Sequence, residues 1–209
     1  MQIESYQIIL IAIFLLIAFP VHEFFHAYAA YRLGDGTAKL FGRLTLNPVV
    51  HFDPLGGLLL IVSVLASGFV FGWAKPTPVN PSNLRDRRNS EVVVALAGPA
   101  SNLVMALIAA FVFRLLDATG IGEQLPFLVT EVLFYFVLFN ILLAIFNMIP
   151  IPPLDGSTLL WRFLPPQTVW QWRPVLTQYG FIILLVFIFT IGSRVGGLVF
   201  NVTRFLVGL

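Results

Sequence analysis

Long apolar runs separated by short polar loops dominate this chain. A helix needs about 20 mostly apolar residues to cross a bilayer, so three of the runs predict membrane spans and a shorter fourth run predicts another. These four runs occupy residues 6–31, 91–116, 127–149 and 178–191. Residues 195–209 are also apolar but contain Arg204, which favours either a helix along the interface or a further crossing.

Two stretches between the first and second spans follow other patterns. Residues 37–47 alternate roughly around Gly42, which favours two short strands. Residues 58–73 are apolar but short and are interrupted by Ser67 and Gly68, which favours a segment that enters the membrane and returns. The sequence therefore predicts an all-α polytopic membrane protein with about four to five transmembrane helices, a short β-hairpin and a re-entrant segment.

Composition agrees with a membrane protein and excludes several other classes. Of the 209 residues, 58% are hydrophobic and 11% are charged, whereas soluble domains carry about 25% charged residues. The net charge of +2 comes from dispersed basic residues, which are too few for a nucleic-acid surface. Cysteine is absent, so the chain has neither disulfides nor thiolate metal ligands.

The first span contains a pattern typical of a metal site. His22 and His26 are four residues apart and share one helix face, so both can bind one metal ion. Glu23 lies beside them, where it can accept a proton from metal-bound water. His22 lies sixteen residues past Tyr6, about 24 Å along the helix, so the metal is expected inside the membrane.

A catalytic zinc ion commonly takes three protein ligands plus water, which leaves one ligand to find. Asp155 follows the third span after a proline-rich break and is the favoured candidate. Its alternative role is to cap the helix that follows it. His51 is the other candidate ligand, and it lies in a turn-rich loop where a supporting or regulatory role is also open.

The spans also predict an orientation. The second and third spans are antiparallel, so Asp155 meets the histidines only if the chain returns to one membrane face between Arg32 and Glu91. Lysine and arginine cluster in the loops on that face, which the positive-inside rule places in the cytoplasm. The expected location is thus the plasma or inner membrane, with the amino terminus outside and the site towards the cytoplasm.

Three motifs together resemble the site-2 proteases, the intramembrane zinc metalloproteases of peptidase family M50. They are HExxH at residues 22–26, GPxxN at residues 98–102 and NxxPxxxxDG at residues 147–156. The strings GRLTLNP, HFDPLGG and GWAKPTPVNP are similar to the compact prokaryotic branch. No stretch is available for the PDZ or CBS domains that some relatives carry.

This resemblance implies one Zn²⁺ held by His22, His26 and Asp155, with Glu23 as general base. It also implies that Asn102 and Asn147 play polar roles near a substrate that is a transmembrane protein or peptide in the lipid bilayer. Iron or cobalt could occupy similar ligands. The resemblance further implies a single metalloprotease domain over residues 1–209, with a catalytic core at about 6–160 and C-terminal helices at 161–209.

Two functions from different classes remain open at this point. The leading hypothesis is a zinc-dependent endopeptidase that hydrolyses peptide bonds of membrane-embedded substrates. The alternative is a membrane zinc carrier or transporter that uses the same ligands. A carrier does not need Glu23, a base that binds no metal. Exposed edge strands at residues 40–46 and 69–78 are candidates for holding an unwound substrate, and the alternative is that these strands pair only with each other.

Overall fold

The computed structural model describes residues 14–58 and 75–209. Seven α-helices with both ends described follow one another in these ranges, and residues 54–58 are also helical. A π-helical turn at Phe14–Ala18 leads into the first of them, and short 3₁₀ turns lie at Pro81–Asn83 and Gly122–Gln124. The helices are α1 (Phe19–Arg32), α2 (Thr37–Leu40), α3 (Pro48–His51), α4 (Arg87–Ala118), α5 (Phe127–Asn147), α6 (Gly156–Phe163) and α7 (Pro166–Val207).

Three of the described helices, α4, α5 and α7, are long and apolar enough to cross a membrane. α4 packs against both α1 and α5, and α7 packs against α5. Their shared core is built from alanines of α4 and branched side chains of α5 and α7. Small residues let membrane helices approach closely, which is why alanine suits the central helix. The core residues are Ala106, Ala109, Ala110, Val137, Ile141, Val199 and Val207.

The structure joins two segments that the sequence separated. Residues 178–191 and 195–209 both belong to α7, which runs for 42 residues without a break. The intervening Gly192 and Ser193 lower helix propensity but remove no backbone N–H, so the helix continues through them. Residues 195–207 are therefore the far end of one long helix, and an interfacial position and a further crossing both stay predictions for them.

The predicted β-hairpin at residues 37–47 is wrong. Thr37–Leu40 forms one helical turn, and no strand occurs in residues 14–58 or 75–209. The Asp35 side chain accepts hydrogen bonds from the Thr37 N–H at 3.0 Å and the Thr37 hydroxyl at 2.5 Å, which starts the turn. Gly42 ends it in a left-handed conformation with φ of 68°, and the next amide donates to the Ala38 carbonyl. Local side-chain hydrogen bonds thus outweigh the weak alternation.

The chain between α1 and α4, residues 34–84, begins and ends at neighbouring positions, and we call it the excursion. The Arg85 N–H donates to the Leu33 carbonyl at 3.0 Å, and the Lys75 N–H donates to the His51 carbonyl at 3.0 Å. The ends of this excursion therefore lie on one side, as the orientation argument requires. The predicted re-entrant segment at residues 58–73 lies outside the described residues, except for Leu58, and so does most of the candidate edge strand at 69–78. The described part of that strand, residues 75–78, is not in a sheet.

Candidate metal centre

The site begins where α1 and α4 pack as antiparallel helices. His22 and His26 both point from α1 towards α4, and both are buried. Gly98 of α4 makes this approach possible. A Cβ at that position would stand 2.6 Å from Cε1 of each histidine ring and closer still to Nε2 of His26. The glycine of the GPxxN motif therefore makes room for the imidazoles.

Three ligand-type atoms converge between the helices. Nε2 of His22 and Nε2 of His26 are 3.0 Å apart, and Oδ2 of Asp155 lies 3.3 Å and 3.2 Å from them. Tetrahedral zinc with ligands at about 2.0–2.2 Å holds those atoms roughly 3.3–3.6 Å from one another. The triangle in this protein is close to that size. Among the described residues, these three form the group that could hold a metal ion.

On each histidine ring, the hydrogen bond made by Nδ1 fixes the orientation of the ring and the nitrogen that carries the proton. Nδ1 of His26 lies 2.7 Å from the Val94 carbonyl, which can only accept, so Nδ1 carries the proton. Nδ1 of His22 lies 2.5 Å from Oδ1 of Asn102. The Asn102 amide nitrogen donates to Oδ1 of Asn140 at 2.9 Å and to the Ala18 carbonyl at 3.4 Å, which sets the orientation of that amide. Both neutral rings therefore turn an Nε2 lone pair towards Asp155.

The chemistry of this donor set fits a metal cation. Two imidazole nitrogens and a carboxylate oxygen face one another at about hydrogen-bond distance, an arrangement that repels unless a proton or a metal cation lies between them. Oδ2 of Asp155 is buried and has no hydrogen-bond donor. Such an orphaned atom is costly. Two imidazole nitrogens and one carboxylate oxygen are ligands that zinc accepts.

Asp155 does not act as a helix cap. It stands at the N-cap position immediately before α6, but its side chain makes no capping hydrogen bond. Its conformation is helical, with φ of −58° and ψ of −36°, whereas capping residues are typically extended. The carboxylate instead turns towards the two histidines. Of the two roles that the sequence left open, the geometry therefore agrees with the ligand role.

Glu23 lies next to His22 on α1 and is held from the other side by the extended segment at residues 75–80. The Thr77 N–H donates to Oε2 of Glu23 at 2.9 Å, and the Thr77 hydroxyl donates to the Glu23 carbonyl at 3.1 Å. Glu23 is only 7% exposed. One carboxylate oxygen is thus anchored by a backbone amide, which fixes the side chain beside the histidines.

A cavity of about 230 Å³ opens onto the histidines, Glu23 and Asp155. Asn147 lines its wall and donates to the Leu143 carbonyl at 3.0 Å. Other lining residues include Pro76, Thr77, Glu91, Ala95 and Pro153.

Two of the sequence candidates lie away from the three ligand-type atoms. Asn102 is fully buried behind the His22 ring. His51 is buried in α3, where Nε2 lies 2.9 Å from the Thr45 carbonyl and Nδ1 has no partner. His51 is absent from the group of convergent ligand atoms. Its contacts connect it to the excursion between α1 and α4.

Sequence reasoning missed three groups that support the site. Asn140 completes the chain of hydrogen bonds from His22 through Asn102, and an asparagine in a span that is otherwise apolar was the available signal. The Val94 carbonyl and the Thr77 amide are backbone groups. Their positions depend on helix packing, which no residue type announces.

Helices of membrane length around a buried histidine–carboxylate group define a membrane protein with a metal centre of the hydrolytic type. Comparisons with known proteins agree with this class. A family model described as Peptidase family M50 matches residues 9–190. The chain belongs to this peptidase family.

Curated relatives support the same assignment. The chain is 42% identical over 192 residues to "Putative zinc metalloprotease YwhC" of Bacillus subtilis strain 168, covering 88% of this chain and 83% of that protein. It is 30% identical over 175 residues to "Putative zinc metalloprotease Rip2" of Mycolicibacterium smegmatis, covering 84% of this chain and 64% of the relative. A Rip2 protein of Mycobacterium tuberculosis strain H37Rv is 29% identical and is covered to 63%. No solved structure matches the chain.

Proposed function

We propose that this member of peptidase family M50 is an intramembrane zinc endopeptidase that hydrolyses peptide bonds of membrane-embedded substrates. His22, His26 and Asp155 hold one Zn²⁺, and Glu23 is the general base. The observation that carries the proposal is the triangle of three acceptor atoms, with edges of 3.0–3.3 Å, on the wall of a cavity that also contains Glu23. Family membership and the names of the relatives point the same way.

Zinc bound there supplies Lewis-acid chemistry, which lowers the pKa of water and polarises a carbonyl. The chain's own residues do the rest. The Thr77 amide donates to Oε2 of Glu23 and holds the carboxylate beside the cavity. Oε1 is therefore the atom that takes a proton from the attacking water. Glu23 then passes this proton to the leaving amine. Asn147 faces the same cavity and is placed to hold the substrate backbone.

Asn102 acts as a positioning residue in this proposal. Its Oδ1 keeps the proton of His22 on Nδ1, so that Nε2 remains a ligand. Asn140 keeps the Asn102 amide in that orientation. His51 supports the excursion between α1 and α4 rather than the metal.

Helix geometry supports a site within the membrane. Glu91 is the last charged residue before an uncharged stretch of α4 that continues to Arg114. The Val94 carbonyl lies three residues past Glu91, about 5 Å along the helix, and Asn102 lies eleven past it, about 16 Å. Contacts with these two residues put the histidines inside a hydrocarbon core of about 30 Å, nearer one face.

We further propose that this nearer face is cytoplasmic, in the plasma or inner membrane, and that the amino terminus is outside. The hydrogen bonds that close the excursion keep its basic residues on the site's side. Single cysteines test this in a chain that otherwise has none. Ser82→Cys should react with an impermeant thiol reagent only after the cytoplasmic face is opened, and Glu123→Cys should react in intact cells. The opposite pattern would reverse the orientation.

The described helices support one domain. α7 shares its core with α4 and α5, so we propose that residues 1–209 form a single unit. The catalytic core then lies at about 6–160, and the C-terminal helices complete the bundle.

The experiment that separates a protease from a carrier uses Glu23→Gln. Purified protein in liposomes is given a transmembrane reporter, and cleavage and bound zinc are both measured. We expect Glu23→Gln to bind zinc but to lose at least 100-fold in cleavage, because general-base catalysis contributes about 10²–10⁴-fold. Glu123→Gln, the same change on an exposed turn, should cleave normally. Equal cleavage by the wild type and Glu23→Gln would falsify the proposed base.

A further inference from the structure

A second and larger cavity is lined by the first turn of α4, by the end of α6 and by residues from the 166–178 part of α7. Its volume is about 1010 Å³. It shares no lining residue with the cavity of the metal centre. Three arginines and two tryptophans line its wall, together with residues that include Gln178; they are Arg87, Arg88, Arg173, Trp161 and Trp170.

The lining is cationic and contains no acidic residue. Arg88 uses one guanidinium N–H to bind the Arg162 carbonyl at 2.9 Å, out of the five that each guanidinium carries. Arg87 lies 3.7 Å from Glu91 through Nε, and its side chain is 70% exposed. Three arginines therefore line one opening. This chemistry recognises a phosphate.

Sequence along α7 places the cavity at the level of lipid headgroups. Residues 166–178 include glutamines, two threonines and Arg173, whereas residues 180–191 carry no charge. On α4, the charges at Arg87, Arg88 and Glu91 likewise precede an uncharged stretch. The polar ends of both helices thus stop at one boundary. The cavity lies on the polar side of it.

Tryptophan marks the same boundary. Three of the chain's four tryptophans, Trp161, Trp170 and Trp172, lie at this end of α6 and α7, and Trp170 is 81% exposed. Tryptophan concentrates at membrane interfaces because its ring is apolar and its N–H is polar. Below the cavity, α7 presents apolar side chains such as Phe181, Ile182 and Val186 on its surface. Acyl chains can lie along this surface while a headgroup occupies the cavity.

We propose that this cavity binds the phosphate headgroup of an anionic phospholipid. Basic pockets between transmembrane helices at the cytoplasmic face are suited to such headgroups. The cavity volume exceeds that needed for a phosphate ion alone, and its wall continues onto an apolar helix face. An acidic protein segment would need the charges but would not need that continuity. The site is independent of the metal centre, so its test requires no catalysis.

Tryptophan fluorescence gives a direct test in bilayers. The full chain is placed in phosphatidylcholine nanodiscs that contain a small fraction of phosphatidylglycerol brominated near the head of its acyl chains, and quenching is compared with that by equally brominated phosphatidylcholine. We expect quenching by the anionic lipid to saturate at a much lower fraction. Arg87→Gln with Arg173→Gln should weaken this preference about 30-fold, since each basic residue near the surface is worth about a factor of five.

The matched control is Arg194→Gln with Arg204→Gln, which removes two charges from exposed positions elsewhere on α7 and should retain the preference. Arg173→Lys keeps the charge but loses the planar fork, so an intermediate loss is expected. Helical content on heating shows whether each variant is folded. Equal quenching by the two lipids in the wild type, or full preference in the Arg87/Arg173 variant, overturns the proposal.

Two further arms identify the source of the phosphate. Millimolar inorganic phosphate should leave the lipid preference of the wild type in place. If it removes the preference, the cavity takes free phosphate instead of a lipid. If an acidic peptide removes the preference while phosphate does not, the cavity binds a protein segment and the lipid assignment is wrong.

Discussion

Asp35 and Asp155 are both largely inaccessible to solvent, yet their surroundings are opposite. Asp35 is fully buried, and its oxygens accept from Thr37, Asn80 and Asn83 at 2.5–3.0 Å. Oδ2 of Asp155 meets two histidine nitrogens and no donor. A buried carboxylate with all its donors stabilises the fold, whereas one without donors is retained for a ligand. The contrast separates a structural acid from a candidate metal ligand in the same chain.

The sharpest way to break this contrast is to remove each carboxylate and measure bound metal. We expect Asp155→Ala to lose zinc affinity by more than 100-fold, because one of three ligands is gone and loss of a group that only hydrogen-bonds to a ligand already costs about 10–100-fold. Asp35→Ala and His51→Ala are the comparisons. Folded protein of either variant should keep its metal. Zinc content per chain, measured after gel filtration, decides between them. A metal-free His51→Ala protein beside a metal-loaded Asp155→Ala protein would reverse the ligand assignment.

The next effect concerns the groups behind the histidines. Asn102→Ala removes the acceptor that holds the proton on Nδ1 of His22, so we expect zinc affinity to fall about 10–100-fold. Asn140→Ala leaves this acceptor in place and should cost less. Competition with a zinc chelator measures both. Ser101→Ala, at the neighbouring buried position of α4, should leave zinc affinity unchanged, and a loss there equal to that of Asn102→Ala would contradict the positioning role.

For stability we expect the opposite order: a change at Asp35 should cost more than a change at Asp155. Asp35→Asn puts an amide N–H₂ among donors that need acceptors, and we expect the free energy of unfolding to fall by about 2–3 kcal/mol. Asp155→Asn in metal-free protein should cost less, because this carboxylate is 20% exposed and accepts no hydrogen bond from a backbone amide. Denaturant unfolding followed by helical content compares the two. A larger loss for the Asp155 variant would remove the contrast.

The smallest predicted effect is the dependence of stability on pH. Burial raises the pKa of the Asp35 carboxyl, but the hydrogen bonds from Thr37, Asn83 and Asn80 outweigh burial and hold the pKa below its usual value. The stabilisation is therefore complete above the unfolded pKa of about 3.9 and is lost as the pH falls through the lower folded pKa. The difference in stability between the wild type and Asp35→Asn should thus be constant near neutral pH and should shrink below about pH 4. A difference that grows on acidification would refute this linkage.

How well a feature can be predicted from the sequence depends on how far apart in the chain the residues that determine it lie. His22, Glu23 and His26 were predictable because their spacing on one helix already carries the chemistry. Asp155 could be placed near these residues because the second and third spans are antiparallel. The turn at Thr37–Leu40 was mispredicted because a single side chain, Asp35, decided it.

Other features depended on packing and left little trace in the sequence. The amide of Thr77 and the carbonyl of Val94 reach the site only because segments distant in sequence pack together. The unbroken course of α7 was hidden by glycines that favour a break in isolation but are tolerated within a long helix.

The hydrogen bond from Arg85 to Leu33 also makes residues 34–84 a detour that starts and finishes at one point. The order and direction of the long helices do not depend on how long that detour is. Since the entropy of closing a loop rises only slowly with its length, a tag or small domain can be inserted there at low cost. An insertion after Leu46, which is exposed and lies between α2 and α3, should leave the bundle assembled. The excursion can therefore be lengthened at this turn, provided that Asp35 and Thr77, which hold the fold and the Glu23 carboxylate, are kept.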